Sequence, residues 1–245
     1  KVYLAMNILI KNSEIENYFK ILKEAYNSGI DAVIVQHLSF VPLIKKNFPG
    51  LEVHISTQAA VSNTYFNDLI KLADKVVLPR EYSKEEIQKF IEKTNLPTEI
   101  FVQGALCFSY SGRCLLSAYM TGRDANQGIC AHSCRWKYKV RSGSDEFFLE
   151  EEKRPGEFMP IEEDEHGTYI MNSRDNCLIE YLNKLREVGI CSFKIEGRNK
   201  TIYYLSVVAK AYRKAIDDMM AGLEFDPAGL DELNRIANRG YIPGF

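Results

Sequence analysis

The sequence predicts an α/β fold of the (β/α) TIM-like barrel type, and three observations predict it. Short β-rich runs alternate with amphipathic helical patterns at intervals of roughly 20–25 residues, the rhythm of parallel strand–helix units. The run "DAVIVQ" (31–36) is apolar and β-branched, as a strand buried on both faces is. No G-x-G-x-x-G follows any strand, so a dinucleotide-binding doubly wound sheet gets no support. About six of the eight strand–helix units of a closed barrel can be counted. The barrel is therefore expected to be incomplete in this chain, with about two units upstream of Lys1.

The elements follow in order. "KVYLAMNILI" (1–10) reads as a strand and Glu14 to Asn27 as a helix. After the 31–36 strand a short helix is expected from Val41 to Asn47, then a strand "LEVHIS" (51–56) and a helix near Tyr65 to Ala73. "KVVLP" (75–79) is the next strand. The helix "SKEEIQKFIEK" opens with Ser83 and Glu86 in capping-box spacing. "TEIFVQG" (98–104) is the fifth strand, and there the rhythm breaks. Residues 105–170 carry a cysteine-rich loop, a strand "KYKVRS" and an acidic segment that reads as a solvated hairpin or flap. "GTYIMN" (167–172) is extended, and a helix is expected from about Asp175 to Val188. "CSFKIEG" (191–197) is a strand, "KTIYYLSVVAKAYRKAIDDMMAG" a long amphipathic helix, and the end begins helical and closes on turn residues.

The 245 residues, 46% of them apolar, suffice for one barrel-type catalytic domain over 1–245 with the 105–170 insertion inside it. The net charge of −2 neither requires nor excludes a nucleic-acid partner and leaves any such contact to a local patch. Neither a membrane span nor a signal-peptide layout is legible, which makes a cytoplasmic, thiol-reducing compartment the expectation. Templates for zinc proteases and serine hydrolases, H-E-x-x-H and G-x-S-x-G, are absent.

Four of six cysteines fall between Cys107 and Trp136, in "CFSYSGRCLLSAYMTGRDANQGICAHSCRW". A chain with this large an apolar share needs no disulfide framework. Clustered thiols with the C-x3-C spacing of Cys130 and Cys134 suggest metal, either from one helix face or from a loop. Zinc and iron–sulfur both suit thiolates, and the wide, uneven spacing favours iron–sulfur over zinc. A Cys–His dyad through His132 is the weaker alternative. Cys191 reads as a small buried hydrophobe.

Strand ends supply the other candidates. In a barrel the chemistry sits at the C-terminal ends of the strands, which selects Asn7, Gln36, Ser56, Gln58, Arg80 and Gln103. In "FKIEGR", Lys194 and Glu196 alternate with Phe193 and Ile195 and so share one face. They form either a structural Lys–Glu pair or a catalytic pair, with Arg198 beyond them suited to a carboxylate or phosphate. "CRWKYKVR" interleaves Trp136 with Lys137, Lys139 and Arg141, which reads as a half-solvated strand or as a stacking contact to single-stranded RNA.

"GALCFSYSGRCLLS" (104–117) and "GRDANQGICAHSCRW" (122–136) resemble the collagenase-like peptidase family, the thirty-second among peptidases of unknown type. "ISTQAAVSN", "VVLPRE", "MNSRDNC" and "SFKIEGR" follow the family's order, so the resemblance spans nearly the whole chain. It implies a (β/α) barrel. It also implies a four-iron four-sulfur cluster on Cys107, Cys114, Cys134 and Cys177, with Cys130 the alternate for the third position. The "DANQGICAHSCRW" block is most similar to the tRNA-hydroxylation branch, which makes 5-hydroxyuridine at the wobble position without molecular oxygen and with prephenate as co-substrate. On that reading tRNA is the partner, and Arg80, Arg113 and Arg198 are candidates for the two carboxylates of prephenate, with Gln58 and Trp136 in substrate binding. The family's name implies a peptidase instead. A third implication is a cluster-binding partner in quinone hydroxylation, working as a homo- or hetero-oligomer with a related member. Two departures stand out: Gln103 where many relatives have His, and His37 where an acid is common.

Overall fold

The computed structural model describes residues 1–64, 70–142, 147–153, 155–156, 158–161, 163–164, 167–168, 175–198, 200–238 and 240–243. It contains two compact units, one made of Lys1–Arg113 with Arg174–Phe245 and the other of Cys114–Ser173.

The larger unit begins β1 (Tyr3–Met6), α1 (Ile15–Asn27), β2 (Ala32–Val35), α2 (Phe40–Asn47), β3 (Glu52–Ile55), β4 (Lys75–Val77), α3 (Lys84–Thr94) and β5 (Thr98–Ala105). The smaller unit holds α4 (Leu116–Thr121), β6 (Tyr138–Ser142), β7 (Phe147–Glu151), β8 (Phe158–Ile161), β9 (Glu163–Asp164) and β10 (Gly167–Thr168). The chain returns to the larger unit with β11 (Asp175–Cys177), α5 (Leu182–Glu187), β12 (Ser192–Ile195), α6 (Ile202–Met220), α7 (Ala228–Asn234) and β13 (Tyr241–Ile242).

Strands β1 to β5 pair in sequence order, each parallel to the next, and β12 joins β5 in parallel. These are the six strands expected from the sequence. β11 pairs antiparallel with the end of β5, and β13 pairs with β11, completing an eight-stranded, largely parallel sheet. Among the described residues β1 pairs only with β2, so the sheet is open and the expected barrel is not closed.

Alternation along the strands sorts the side chains. Val33, Val35, Val53, Ile55, Val76, Leu78, Ile100 and Val102 enter one apolar core with Leu22, Ile44, Phe90, Val208 and Tyr212 of the helices, and Phe193 and Ile195 pack against it. The intervening residues His54, Lys75, Glu99, Phe101, Lys194 and Glu196 lie outside that core. The helices start where the chain can cap them. Ser83 Oγ accepts from the Glu86 amide at 3.3 Å while the Glu86 carboxylate accepts from the Ser83 amide at 2.8 Å, the capping box read from the sequence. Thr201 Oγ1 accepts from the Tyr204 amide at 3.1 Å and starts α6.

Two expected elements change. The helix expected from Asp175 begins as a strand, because Asp175, Asn176 and Cys177 pair with Ala105, Gly104 and Gln103; a 3-10 turn, Ile179–Tyr181, leads into α5. Of the helix expected near Tyr65 to Ala73, residues 65–69 lie outside the described residues and Ile70–Leu72 is a 3-10 turn. Residues 169–172 of the extended segment also lie outside them.

In the smaller unit β6, β7 and β8 form a three-stranded antiparallel sheet and β9 and β10 a two-stranded one, so the acidic segment is built as hairpins. Ser117 fastens the loop before them. Its Oγ donates to the Arg123 carbonyl at 2.6 Å and accepts from the Ala131 amide at 2.8 Å. Asp124 caps the turn Ala125–Gln127 through the Asn126 amide at 2.8 Å.

Candidate functional site at the strand ends

At the C-terminal ends of the parallel strands, polar side chains engage one another. Asn7 Nδ2 donates to Ser56 Oγ at 2.9 Å, and Gln36 Nε2 donates to the Gln58 carbonyl at 3.1 Å. Gln36 Oε1, Thr57 Oγ1 and Gln58 Oε1 are buried without a hydrogen-bond partner among the described residues. Such polar atoms are uncommon in a folded interior and call for a partner from water or a ligand.

Arg80 is the main cation here. Its side chain is only 10% exposed, its guanidinium sits 3.8 Å from the centroid of Phe101, and its nearest anion is Glu196 at 4.0 Å. No hydrogen bond fixes that guanidinium among the described residues, and a planar guanidinium in this state suits a carboxylate or phosphate. Lys194 Nζ stands 5.6 Å from the same ring, which gives Phe101 two cationic neighbours.

Lys194 and Glu196 do not pair with each other. Lys194 donates to Glu99 at 2.8 Å, with Ser192 Oγ on the other carboxylate oxygen at 2.7 Å and Lys75 at 3.6 Å. Burial pushes the Glu99 carboxyl up, but Lys194 and Ser192 more than offset it and hold it below the usual range. Lys194 therefore has Glu99 as its partner, where the sequence offered a structural or a catalytic pair with Glu196. Glu196 instead accepts from the Arg198 amide at 2.9 Å, and the Arg198 side chain is exposed. Gly104, at φ +114, allows β12 to come this close: a Cβ there would lie 2.7 Å from the Glu196 carbonyl.

Gln103 is not at the strand mouth. It is buried between two tyrosines, donating to Tyr204 at 3.3 Å and accepting from Tyr212 at 3.1 Å. His37 accepts from the Ile10 amide at 2.8 Å, a structural role.

The loop that carries Cys107 is tied to these same strand ends. The Glu81 carboxylate accepts from both the amide and, at 3.1 Å, the hydroxyl of Ser111. Arg113 donates its amide to Tyr110 at 3.0 Å, and its side chain is exposed.

None of the six cysteines is in a disulfide. Cys107 is exposed and belongs to the larger unit, as does Cys177; Cys114, Cys130 and Cys134 are half-buried and belong to the smaller. Within the smaller unit the Cys114 carbonyl accepts from Asn126 at 2.9 Å and Cys130 Sγ accepts from the His132 amide at 3.3 Å. His132 takes a left-handed φ of 56°, and the turn Ser133–Arg135 that follows carries Cys134. The C-x3-C pair thus lies on a loop rather than on one helix face. Cys177 is 7% exposed, 3.9 Å from Tyr212 Oη, and its thiol is pushed up by burial. Cys191 is exposed rather than buried, with its thiol on the Thr98 carbonyl at 3.2 Å. Among the described residues no three His, Cys, Asp or Glu side chains are gathered as a metal site. By donor chemistry the thiols outside disulfides suit an iron–sulfur cluster, and burial makes the Cys177 thiol harder to ionise than a free cysteine.

The model for "Peptidase family U32" matches residues 1–245. The chain belongs to peptidase family U32. The "tRNA hydroxylation protein P" of Escherichia coli (strain K12) is 39% identical over all of this chain and 61% of its own length. The protein of the same name from Haemophilus influenzae is 37% identical, again over 100% of this chain and 61% of that one. The "Collagenase" of Porphyromonas gingivalis is 30% identical over all of this chain and 59% of its own length. This U32 chain therefore spans about three-fifths of the curated relatives it matches.

In this U32 member the sequence singles out Arg80, Gln58 and the cysteine block, and the structure adds Phe101, Glu99, Glu81 and Ser111 as their neighbours at the strand ends. The single usable signal was period-2 alternation in "TEIFVQG", which puts Glu99 and Phe101 on one face. Trp136 is half-buried at the end of the turn Ser133–Arg135, just before β6, and Lys137 and Lys139 after it are exposed. Among the described residues no helix is long and apolar enough to cross a membrane.

Proposed function

We propose that this chain is part of an iron–sulfur enzyme that hydroxylates RNA without molecular oxygen, forming 5-hydroxyuridine at the tRNA wobble position. One observation carries the reading: the loop bearing Cys107 is tied by Glu81 and Ser111 to the strand ends where the largely buried Arg80 guanidinium has only the distant Glu196 carboxylate, at 4.0 Å, as an ion-pair partner among the described residues. The similarity to proteins named for tRNA hydroxylation over the whole chain supports it. Cys107, Cys114, Cys134 and Cys177 would hold the cluster, with Cys130 the alternate third ligand. A bound four-iron four-sulfur cluster supplies one-electron chemistry. Arg80 binds a carboxylate of prephenate as co-substrate, with Arg113 and Arg198 available to the second. Lys194 keeps Glu99 ionised and the β4–β5–β12 face rigid. Trp136, with Lys137 and Lys139, offers a stacking contact to the RNA. The enzyme works in the cytoplasm, where its tRNA partner is, alone or with a related subunit.

Nucleoside mass spectrometry tests the proposal. The full-length gene with Arg80→Ala, expressed in a deletion strain, is expected to lose 5-hydroxyuridine while the wild-type gene restores it. Undiminished 5-hydroxyuridine with Arg80→Ala would reject the assignment of Arg80. A deletion strain with normal 5-hydroxyuridine would reject the substrate. The peptidase reading is favoured by the 30% identity to a protein named collagenase. It requires peptide turnover that survives removal of iron.

A further inference from the structure

The loop from Cys107 to Arg113 contains little regular structure, yet Ser111 within it is 4% exposed. Its burial has two identifiable causes. The Glu81 carboxylate, directly after Arg80, takes the Ser111 amide on one oxygen and the Ser111 hydroxyl on the other. Both are hydrogen bonds to an ionised acceptor, the stronger kind. Next to it, Gly112 at φ +72 lies flat on the chain after β3: a Cβ there would come 2.2 Å from the Gln58 carbonyl. That carbonyl is itself held by Gln36 Nε2. The loop is thus pinned at adjacent residues to the ends of two neighbouring strands, β3 through Gln58 and β4 through Glu81.

We propose that Glu81 is a positioning residue: with Gly112 as its steric counterpart, it latches the Cys107 loop to the strand ends and thereby presets the cysteine for metal-cluster ligation. The inference rests on the cluster reading above. Glu81 acts through the backbone of Ser111, four residues from Cys107. A flexible loop would have to be ordered at each loading event, and the latch removes that entropic cost in advance.

The test uses the full-length protein with Glu81→Ala and, as a milder change, Ser111→Ala, which removes one of the two bonds and keeps the amide. Hydrogen exchange in the peptide spanning Cys107 to Arg113 reads the latch without any cluster. Iron and acid-labile sulfide after anaerobic reconstitution read its consequence. Exchange at the Ser111 amide is expected to rise by at least about tenfold in Glu81→Ala, the loss of a charged hydrogen bond. It rises less in Ser111→Ala. Cluster loading falls in the same order, while the thermal midpoint of the larger unit stays near that of wild type. Unchanged exchange, or full loading in Glu81→Ala beside a fully loaded wild type, overturns the latch alone. A wild-type protein that takes up no iron overturns the cluster reading itself, and the two failures are told apart by that control.

Discussion

The two faces of the parallel sheet are made from the same strands and held by different forces. On the helix-covered face, Val33, Val53, Ile55, Val76 and Val102 are fully buried in one apolar core. On the other, one residue along the strands, stand His54, Lys75, Glu99 and Lys194, with Arg80 just past β4, in a polar set that includes Glu99 at 8% side-chain exposure and Arg80 at 10%. The first face is stabilised by transfer of hydrocarbon from water. The second gains little from burial, since each charge it withdraws from water must be matched by a partner. The difference sets what each face needs: buried polar side chains persist only where partners, or a ligand, satisfy them.

The largest effect should come from the helix face. Phe90 is 1% exposed, on the buried side of α3 and inside the core. Phe90→Ala removes the ring and leaves a cavity, at an expected cost of about 3–5 kcal/mol in denaturant unfolding. A loss below about 1 kcal/mol would mean that this face is not close-packed.

A smaller loss is expected from the charged face. Lys194→Ala leaves Glu99 with Lys75 at 3.6 Å and Ser192 as its remaining partners. Because Lys75 persists and Lys194 is 28% exposed, the cost should be about 2 kcal/mol rather than the full penalty of an orphaned buried charge. Adding Glu99→Gln to Lys194→Ala should recover part of it. A double variant less stable than the single one would show that Glu99 is not the group that Lys194 serves.

Legibility in the sequence follows the same division. The helix face was readable, because period-2 alternation and apolar runs report burial locally, and the six parallel strands appear in the expected order. β11 was not readable. "DNC" is polar and looks like a helix start, and only its pairing with Gln103, Gly104 and Ala105 makes it a strand. The site was half legible. Arg80 and the cysteines stand out by type, but their partners are set by contacts remote in sequence: Ser111 meets Glu81 across 30 residues and Lys194 meets Glu99 across 95. Gln103 misled for the converse reason. Its place at a strand end pointed to the mouth, whereas Tyr204 and Tyr212 of α6 draw it into the core.

The smallest effect is a pH dependence, and it separates the two faces without removing any packing. His54 is 1% exposed, its ring edge-on to Tyr3 at 5.0 Å and its Nε2 3.0 Å from the Glu52 carboxylate. Burial lowers its pKa, Lys75 lowers it further, and Glu52 and Glu99 oppose them without prevailing. The folded imidazole thus stays neutral at a pH where the unfolded one, near 6.5, takes a proton. Above about pH 6.5 neither state protonates His54 and its contribution to stability is fully present; as pH falls from there through the folded pKa, the unfolded state binds the extra proton and that contribution is lost. Glu52 is held down to about 2, chiefly by its hydrogen bond from Lys1 and then by that from His54, so it remains an acceptor throughout this window. The difference in unfolding free energy between wild type and His54→Gln should therefore be constant above neutrality and change in favour of the variant below about pH 6.5. A helix-face variant such as Phe90→Ala should show no such slope relative to wild type. A flat difference for His54→Gln across the acid range would mean that the imidazole ionises as readily folded as unfolded, and that this face is wetter than its exposures indicate.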